Sequence, residues 1–380
     1  MNKKQKSFNR YTTLTIAMFL MFSIILYRLV IMQVVLADDY AQQASKNSVA
    51  ELQSFAPRGN IVDSSGQILA TEKQSYMLTY TETDSNKYDF VPIMKNVFKI
   101  LDDNGESIKD DFELKINPIR FEFKNTDGTD EIRFKKDRGF DQVVYDKMYK
   151  KVKNKPALNN LSVEQQNKLN AELLKITPEE TFNYLVEKYD LTPEGDLMNL
   201  VAYYKTNHDD ALSKIMERYK PSSKENLIKL LNNYYKAKTT SDKNNIKAQI
   251  SHECGADKMS YSIEEQRRLM IVKDELYLQR FSSYKPVFIA DNIKKETSFI
   301  IEQKYNDIPG ISVQNNPVRV YPNGELGSSF LGYISKISFD NKDKYAMKGY
   351  DTSYEYVGTA GLESAFEENL RGKTGSDIVK

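Results

Sequence analysis

The stretch APRGNIVDSSGQILATEKQSYMLTYTE, residues 56–82, decides how this chain reads. Ile61 and Val62 lead into Asp63-Ser64-Ser65-Gly66, a turn that places glycine where positive φ is wanted, and Gln67–Ala70 leads away again. Ser75–Glu82 then alternates in the manner of a strand. The stretch predicts β structure rather than helix. Gly59 and Gly66 are expected to meet backbone demands that a side chain would oppose. Arg58 and Asp63 flank the first extended piece. Either they pair across it and pin the hairpin, or they stay a solvated pair of little energetic weight.

Downstream the character changes. From about residue 90 to 275 the chain is rich in Lys, Glu, Asn and Tyr and carries repeated helix-start signals. Ser162 with Gln165 and Ser262 with Glu265 have the spacing of a capping box, in which side chain and backbone satisfy each other at a helix start. Thr177-Pro178-Glu179-Glu180 combines a cap, a proline at the first helical position and a glutamate at the third. Residues 221–238 and 264–281 place apolar side chains at helical spacing. Strand signals return in PVFIA (286–290), GISVQNNPVRVYPNG (310–324) and GSSFLGYISKISF (327–339), with Pro309-Gly310 and Pro322-Asn323-Gly324 as turns. Residues 358–380 read as a short amphipathic helix, a glycine-containing loop and the start of an extended segment. The fold class is α+β, a β framework interrupted by a large helical insertion.

Upstream, Lys3, Lys4, Lys6 and Arg10 precede an apolar run from Tyr11 to Tyr27 that resumes after Arg28 and fades at Asp38 and Asp39. A helix over 11–37 would extend roughly 40 Å at about 1.5 Å per residue, the thickness of a bilayer with its headgroups. The basic cluster orients such a span with the N-terminus inside and everything downstream outside. A cleaved signal peptide fits less well, because the run is too long and Arg28 interrupts it. A buried core helix would not start behind a basic cluster at the head of the chain. The expectation is a single-pass protein of the plasma membrane, its N-terminus cytoplasmic and its bulk extracytoplasmic.

The 54 basic and 53 acidic side chains leave a net charge of +1, which argues against a nucleic-acid partner. One cysteine, Cys254, rules out an intramolecular disulfide, so an exported fold must rest on its core. His208-Asp209-Asp210 and His252-Glu253-Cys254 hold metal-capable groups. Neither has a second half at ligand spacing, and both read as solvated loops. No metal or cofactor is expected.

Ser282-Ser283-Tyr284-Lys285 has the Ser-x-x-Lys spacing of serine acyl-transfer enzymes, and Lys373-Thr374-Gly375 is a second signature of the same enzymes. That chemistry needs the lysine one helical turn above the serine, where the amine can help deprotonate the hydroxyl. Pro286 follows Lys285 directly and drives it away from helical geometry. The third signature, Ser-x-Asn, is absent between Lys285 and Lys373; Ser45-Lys46-Asn47 lies ahead of both. Ser282 is not expected to be a nucleophile, and no residue of the chain is expected to be catalytic.

One set of residues carries a resemblance. It runs Arg58-Gly59-Asn60-Ile61 with Asp63, Gly66, Leu69 and Ala70, then Tyr284, Pro286, Val287 and Ala290. Ile308-Pro309-Gly310-Ile311 with Pro317, Arg319, Tyr321-Pro322 and Gly324 follow, then Leu331-Gly332-Tyr333 and Gly361-Leu362-Glu363 with Leu370-Arg371-Gly372. In order and spacing these resemble the N-terminal half of a class B penicillin-binding protein, a membrane-anchored transpeptidase that cross-links peptidoglycan. The resemblance implies a single N-terminal transmembrane helix and an elongated, β-rich pedestal holding the helical insertion. Residues 1–10 would be a cytoplasmic tail, 11–37 the transmembrane helix and its extension, and 38–90 a stalk and the first β part. Residues 91–275 would be the insertion, 276–345 the second β part, and 346–380 a linker toward a transpeptidase domain not present in this chain.

By the same resemblance Arg58, Gly59, Asp63, Gly66, Pro309, Gly310, Arg319, Tyr321, Pro322, Gly332, Gly361, Glu363, Arg371 and Gly372 are structural rather than catalytic. A polytopic peptidoglycan glycosyltransferase is the implied partner, peptidoglycan is met through the absent domain, and homodimerisation stays open. Two other readings remain: a self-contained serine acyltransferase using Ser282 and Lys285, and a membrane-anchored sensor or adhesion module.

Overall fold

The computed structural model describes residues 10–31, 50–54, 57–150, 152, 155–279, 286–338, 341–350, 352, 355–372 and 375–379. Its strands are β1 (Ala50–Ser54), β2 (Ile61–Val62), β3 (Ile68–Lys73), β4 (Tyr76–Tyr80), β5 (Leu114–Lys115), β6 (Arg120–Phe121), β7 (Val287–Ile293), β8 (Ile311–Asn315), β9 (Val318–Val320), β10 (Ile334–Lys336), β11 (Tyr356–Gly358) and β12 (Gly375–Val379). The chain divides into two units, Met1–Ala56 with Arg371–Lys380, and Pro57–Leu370.

The first unit contains a helix, Arg10–Val30, and an antiparallel pair of β1 with β12 in the register Ala50↔Val379 to Ser54↔Gly375. The membrane span expected over 11–37 is not supported in that form. The helix ends at Val30, and among the described residues no helix is long and apolar enough to cross a membrane.

In the second unit β4 is the centre of a three-stranded antiparallel sheet, with β7 on one side and β8 on the other. Met77, Leu78, Thr79 and Tyr80 are all buried there, so the strand is covered on both faces. The chain leaves this sheet after β4 and returns to it at β7. Between them it forms helices from Phe90–Asp103 through Ile263–Leu278 and one short hairpin, β5–β6. Helix Phe90–Asp103 buries Phe90, Val91, Ile93, Met94, Val97, Phe98, Ile100 and Leu101, the broad apolar stripe of a helix packed on a sheet. These join the strand residues in one core that also takes in Leu173, Leu185 and Leu269.

Helices Pro193–Tyr204, His208–Tyr219, Lys224–Lys236 and Thr240–Glu253 close on a second core, around Leu197, Leu200, Ile215, Leu227, Leu231 and Ile250. The helix starts are set locally. At Ser162/Gln165, Thr177/Glu180 and Ser262/Glu265 both halves of the capping box are formed, leaving fewer unpaired amides at each first turn.

A second three-stranded sheet, β2–β3–β9, carries the motif-rich segments. The β2–β3 hairpin turns at Asp63–Gly66, where Gly66 takes φ +86° and its N–H donates to the Asp63 carbonyl at 3.1 Å. Strand β3 continues against β9 with Thr71, Glu72 and Lys73 opposite Val320, Arg319 and Val318. Antiparallel β10–β11 and the short helices Gly361–Ala365 and Glu367–Leu370 complete this end of the unit.

Candidate functional site, a buried clamp of arginines and glutamates

The pairing of β3 with β9 sets Glu72 opposite Arg319 and so puts two complementary charges beside each other on neighbouring strands. Helix Gly361–Ala365 then brings Glu363 onto them. Glu363 is fully buried, one oxygen accepting from Arg58 Nε at 2.7 Å and the other from Arg319 Nε at 2.7 Å. The Tyr321 hydroxyl also reaches the second oxygen, at 3.3 Å. Arg58 Nη2 donates to the Glu363 carbonyl at 3.0 Å and to Glu367 Oε2 at 2.7 Å. Arg319 Nη1 donates to the Gly59 carbonyl at 2.8 Å. Glu367 is held further by the Gly358 N–H at 2.7 Å and the Tyr350 hydroxyl at 3.1 Å. Arg58 and Arg319 are each 8% exposed, so the geometry joins residues 57–72, 318–321 and 358–370 through charge-assisted bonds out of water.

The electrostatics follow from crowding. Burial opposes the Arg58 charge, but the bonds to Glu367 and Glu363 outweigh it and its pKa rises. Burial pushes the Glu367 carboxyl up, and the bonds from Arg58 and the Gly358 N–H outweigh that, so its pKa falls. Glu72 behaves oppositely. Its carboxylate accepts the Arg58 backbone N–H, at 2.7 Å, and burial wins over the nearby arginines, so its pKa is raised.

A carboxyl whose pKa is raised on folding contributes stability that is present below its unfolded pKa of about 4.3 and lost as pH rises through the folded value. Glu72→Gln should therefore gain stability relative to the native chain between about pH 5 and pH 8, by less than about 1 kcal/mol for a half-exposed group. Urea unfolding at the two pH values checks this; an equal difference at both would show that Glu72 carries no such penalty.

Nothing in the clamp is arranged for covalent chemistry. Its carboxylates face arginines, tyrosine hydroxyls and amides, and none of the bonds just described involves a serine, cysteine, histidine or lysine. One group departs from full pairing: the buried Nη2 of Arg319 has no hydrogen-bond partner among the described residues.

The expected motif residues fall into six places. Arg58, Gly59, Arg319, Tyr321 and Glu363 meet in the clamp, and Gly59 N–H also donates to the Leu370 carbonyl at 2.8 Å. Gly59 does not have the positive φ that would demand glycine, and a Cβ there would meet Leu370 at an ordinary 3.5 Å. Asp63 and Gly66 form the hairpin tip. Both readings for Arg58 and Asp63, the pair across the hairpin and the solvated pair, are overturned. Arg58 is taken by glutamates some 300 residues on, and the Asp63 carboxylate accepts from Ser65 N–H, Ser65 Oγ and Gln67 N–H at 2.7–2.9 Å. Those bonds hold Asp63 below the usual carboxylate range.

Pro309 and Gly310 stand at the start of β8, where the Pro309 carbonyl accepts from Asn86 Nδ2 at 3.3 Å and that of Gly310 from Thr81 N–H at 2.9 Å. Pro322 begins the exposed turn closed by Gly324 N–H donating to the Tyr321 carbonyl at 3.0 Å. Gly332 and Gly361 lie backbone to backbone. Arg371 and Gly372 belong to the other unit.

Sequence reasoning misses Glu72 and Glu367. Glu367 does carry a signal: two glutamates four residues apart on one short helical stretch repel unless a cation lies between them.

Ser282, Lys285, Lys373 and Thr374 lie outside the described residues; Pro286 leads straight into β7 and Gly375 opens β12. The solvated loops expected around the histidines are corrected. His208 opens helix His208–Tyr219, and His252-Glu253 closes helix Thr240–Glu253, because Asn207 and Thr239 cap those helices. Glu253 accepts from Ser223 N–H and Asn226 Nδ2, and Cys254 is buried, its thiol pushed up to about 12 by burial. Among the described residues no group of three or more side chains is arranged to hold a metal.

Comparisons with known proteins place these features. The chain is 38% identical over 84 residues to penicillin-binding protein 2A of Bacillus subtilis, 22% of this chain and 12% of that protein. It is 30% identical over 79 residues to the peptidoglycan D,D-transpeptidase MrdA of Acinetobacter baumannii, 21% of this chain and 12% of that one. The matches therefore span only a small part of either relative. Among solved structures, penicillin-binding protein 2B of Streptococcus pneumoniae aligns over 87% of this chain and 37% of its own, at 16% identity and a TM-score of 0.38. The complex between penicillin-binding protein PBP2 and MreC from Helicobacter pylori aligns over 87% of this chain and 31% of its own, at 13% identity and a TM-score of 0.34. The family model of the penicillin-binding protein dimerisation domain matches residues 53–193 and 196–380, so the chain belongs to that family.

Proposed function

We propose that these 380 residues are the membrane anchor and extracytoplasmic pedestal of a penicillin-binding protein whose serine-type D,D-transpeptidase domain lies outside them. The observation that carries this reading is the clamp. Two arginines and two glutamates from distant parts of the chain are spent on one another, an arrangement suited to keeping a support stiff and unsuited to reacting with a substrate. The anchor rests on the basic cluster at residues 3–10 and the apolar run of sequence that begins at Tyr11. In this reading the chain sits in the plasma membrane with its N-terminus cytoplasmic, works beside a polytopic peptidoglycan glycosyltransferase, and meets peptidoglycan through the transpeptidase domain.

Membranes from cells expressing the chain, washed with alkaline carbonate and then incubated with a fluorescent penicillin, test both halves of the proposal. The chain should stay in the pellet and take up no covalent label. Release by the wash would overturn the anchor. A label that disappears in Ser282→Ala would overturn the non-catalytic pedestal and favour the acyltransferase.

A further inference from the structure

The hairpin of helices Lys224–Lys236 and Thr240–Glu253 ends in a tip of unusual charge. From Lys229 to Lys247 it holds five lysines, Lys229, Lys236, Lys238, Lys243 and Lys247, against one acid, Asp242. That is a net +4 (5 − 1) in a chain whose total is +1. All five are exposed. The one acid, Asp242, is already counted in that sum, and its carboxylate accepts from Thr239 Oγ1 at 2.7 Å in the helix cap. The ion pairs of the neighbouring helices lie elsewhere, joining Lys214 and Arg218 to Asp89, Arg218 to Asp196, and His252 to Asp257.

The placement of the lysines narrows what could neutralise them. At about 100° per residue, Lys229 and Lys236 share the side of their helix opposite the buried Leu227 and Leu231. Lys238 stands in the link and Lys243 on the second helix, so the lysines are spread over both helices and the turn between them. The tip lacks an apolar wedge: its one large exposed aromatic, Tyr235, is 37% exposed and donates its hydroxyl to the Val201 carbonyl. Membrane-surface helices depend on such a wedge. Exposed Asn232, Asn233, Asn244 and Asn245 lie between the lysines and offer both donors and acceptors.

We infer that this tip binds a soluble, flexible phosphate polymer, whose chain can follow lysines spread over two helices and the turn between them. The site is separate from the clamp and does not depend on the anchor. Binding of linear inorganic polyphosphate to the full chain tests it, compared with a variant carrying Lys229→Gln, Lys236→Gln, Lys238→Gln and Lys243→Gln. Lys247 stays, because it also acts on Asp190. A second variant with Lys304→Gln, Lys336→Gln, Lys342→Gln and Lys344→Gln removes the same charge from other exposed positions.

The tip variant should bind at least about tenfold more weakly at about 50 mM salt. Its logarithmic salt slope should fall by about 0.7 for each lysine removed, as for flexible polyanions. The second variant should bind like the native chain. Unchanged binding by the tip variant, or an equal loss in the second variant, would overturn the inference. So would vesicles of phosphatidylcholine with one-third phosphatidylglycerol that lose more affinity for the tip variant than polyphosphate does.

Discussion

Replacing Glu363 by alanine should lower the stability of the Pro57–Leu370 unit by about 3–5 kcal/mol, the cost of leaving buried cations without their shared anion. Glu363 serves two arginines at once. Its loss leaves Arg58 with Glu367, but leaves Arg319, whose side chain is 2% exposed, with the Gly59 carbonyl and the half-buried charge of Glu72 nearby. Since Arg319 Nη2 already lacks a partner, no spare bond can absorb the change. Arg319→Met should cost less, about 1–3 kcal/mol, because Glu363 keeps Arg58 and the Tyr321 hydroxyl while an unsatisfied donor is removed.

Combining Arg319→Met with Glu363→Met should be milder than Glu363→Ala alone, since a buried ion pair exchanged for apolar volume is often neutral. Calorimetry would register Glu363→Ala as a fall of roughly 6–20 °C in melting temperature. Amide exchange at β3 and β9 would show whether the loss begins at the clamp. A drop below about 1 kcal/mol for Glu363→Ala, or a double variant worse than both singles, would mean that the clamp does not hold this end of the unit together.

Legibility in the sequence tracks the range of the forces involved. The hairpin at Asp63–Gly66 and the capping boxes at Ser162, Thr177 and Ser262 are set within four residues, and all are readable from local spacing. The helical character of the long middle segment follows from apolar periodicity, equally local. The clamp is not local. Arg58 finds Glu363 across 305 positions, and no spacing rule connects them. Asp63 is a candidate partner only because it is near in sequence, yet its own turn takes up its oxygens. The histidine clusters read as loops because their helix caps lie outside the motifs, Asn207 just before His208 and Thr239 at the far end of the helix that His252 and Glu253 close. The family resemblance marks Glu363 and Arg319 together, but only folded geometry shows that they touch, and that Glu72 and Glu367 belong with them.

Gly332→Ala should be at least as damaging as loss of the clamp, through backbone rather than charge. Gly332 takes φ +76° and ψ −157°, a region open essentially to glycine, where another residue costs about 1–3 kcal/mol. Space makes it worse. A Cβ on Gly332 would lie 1.8 Å from the Ala360 carbonyl oxygen, and the obstacle is backbone that cannot rotate away. Relief requires parting segment 330–333 from 359–361, which breaks the 2.9 Å bond from Thr359 N–H to the Tyr333 carbonyl and with it the β10–β11 pairing. Helix Gly361–Ala365, which carries Glu363, starts in the same place. The expected loss is therefore above about 4 kcal/mol, the strain adding to part of the clamp.

Gly66→Ala isolates the conformational part. Gly66 has φ +86°, and a methyl group added there would meet nothing within 4 Å, so only the left-handed backbone is opposed, at about 1–2 kcal/mol. Denaturant unfolding of the two variants side by side separates the causes. If Gly332→Ala cost no more than Gly66→Ala, the close approach of the two loops would not be what holds Glu363 over the arginines.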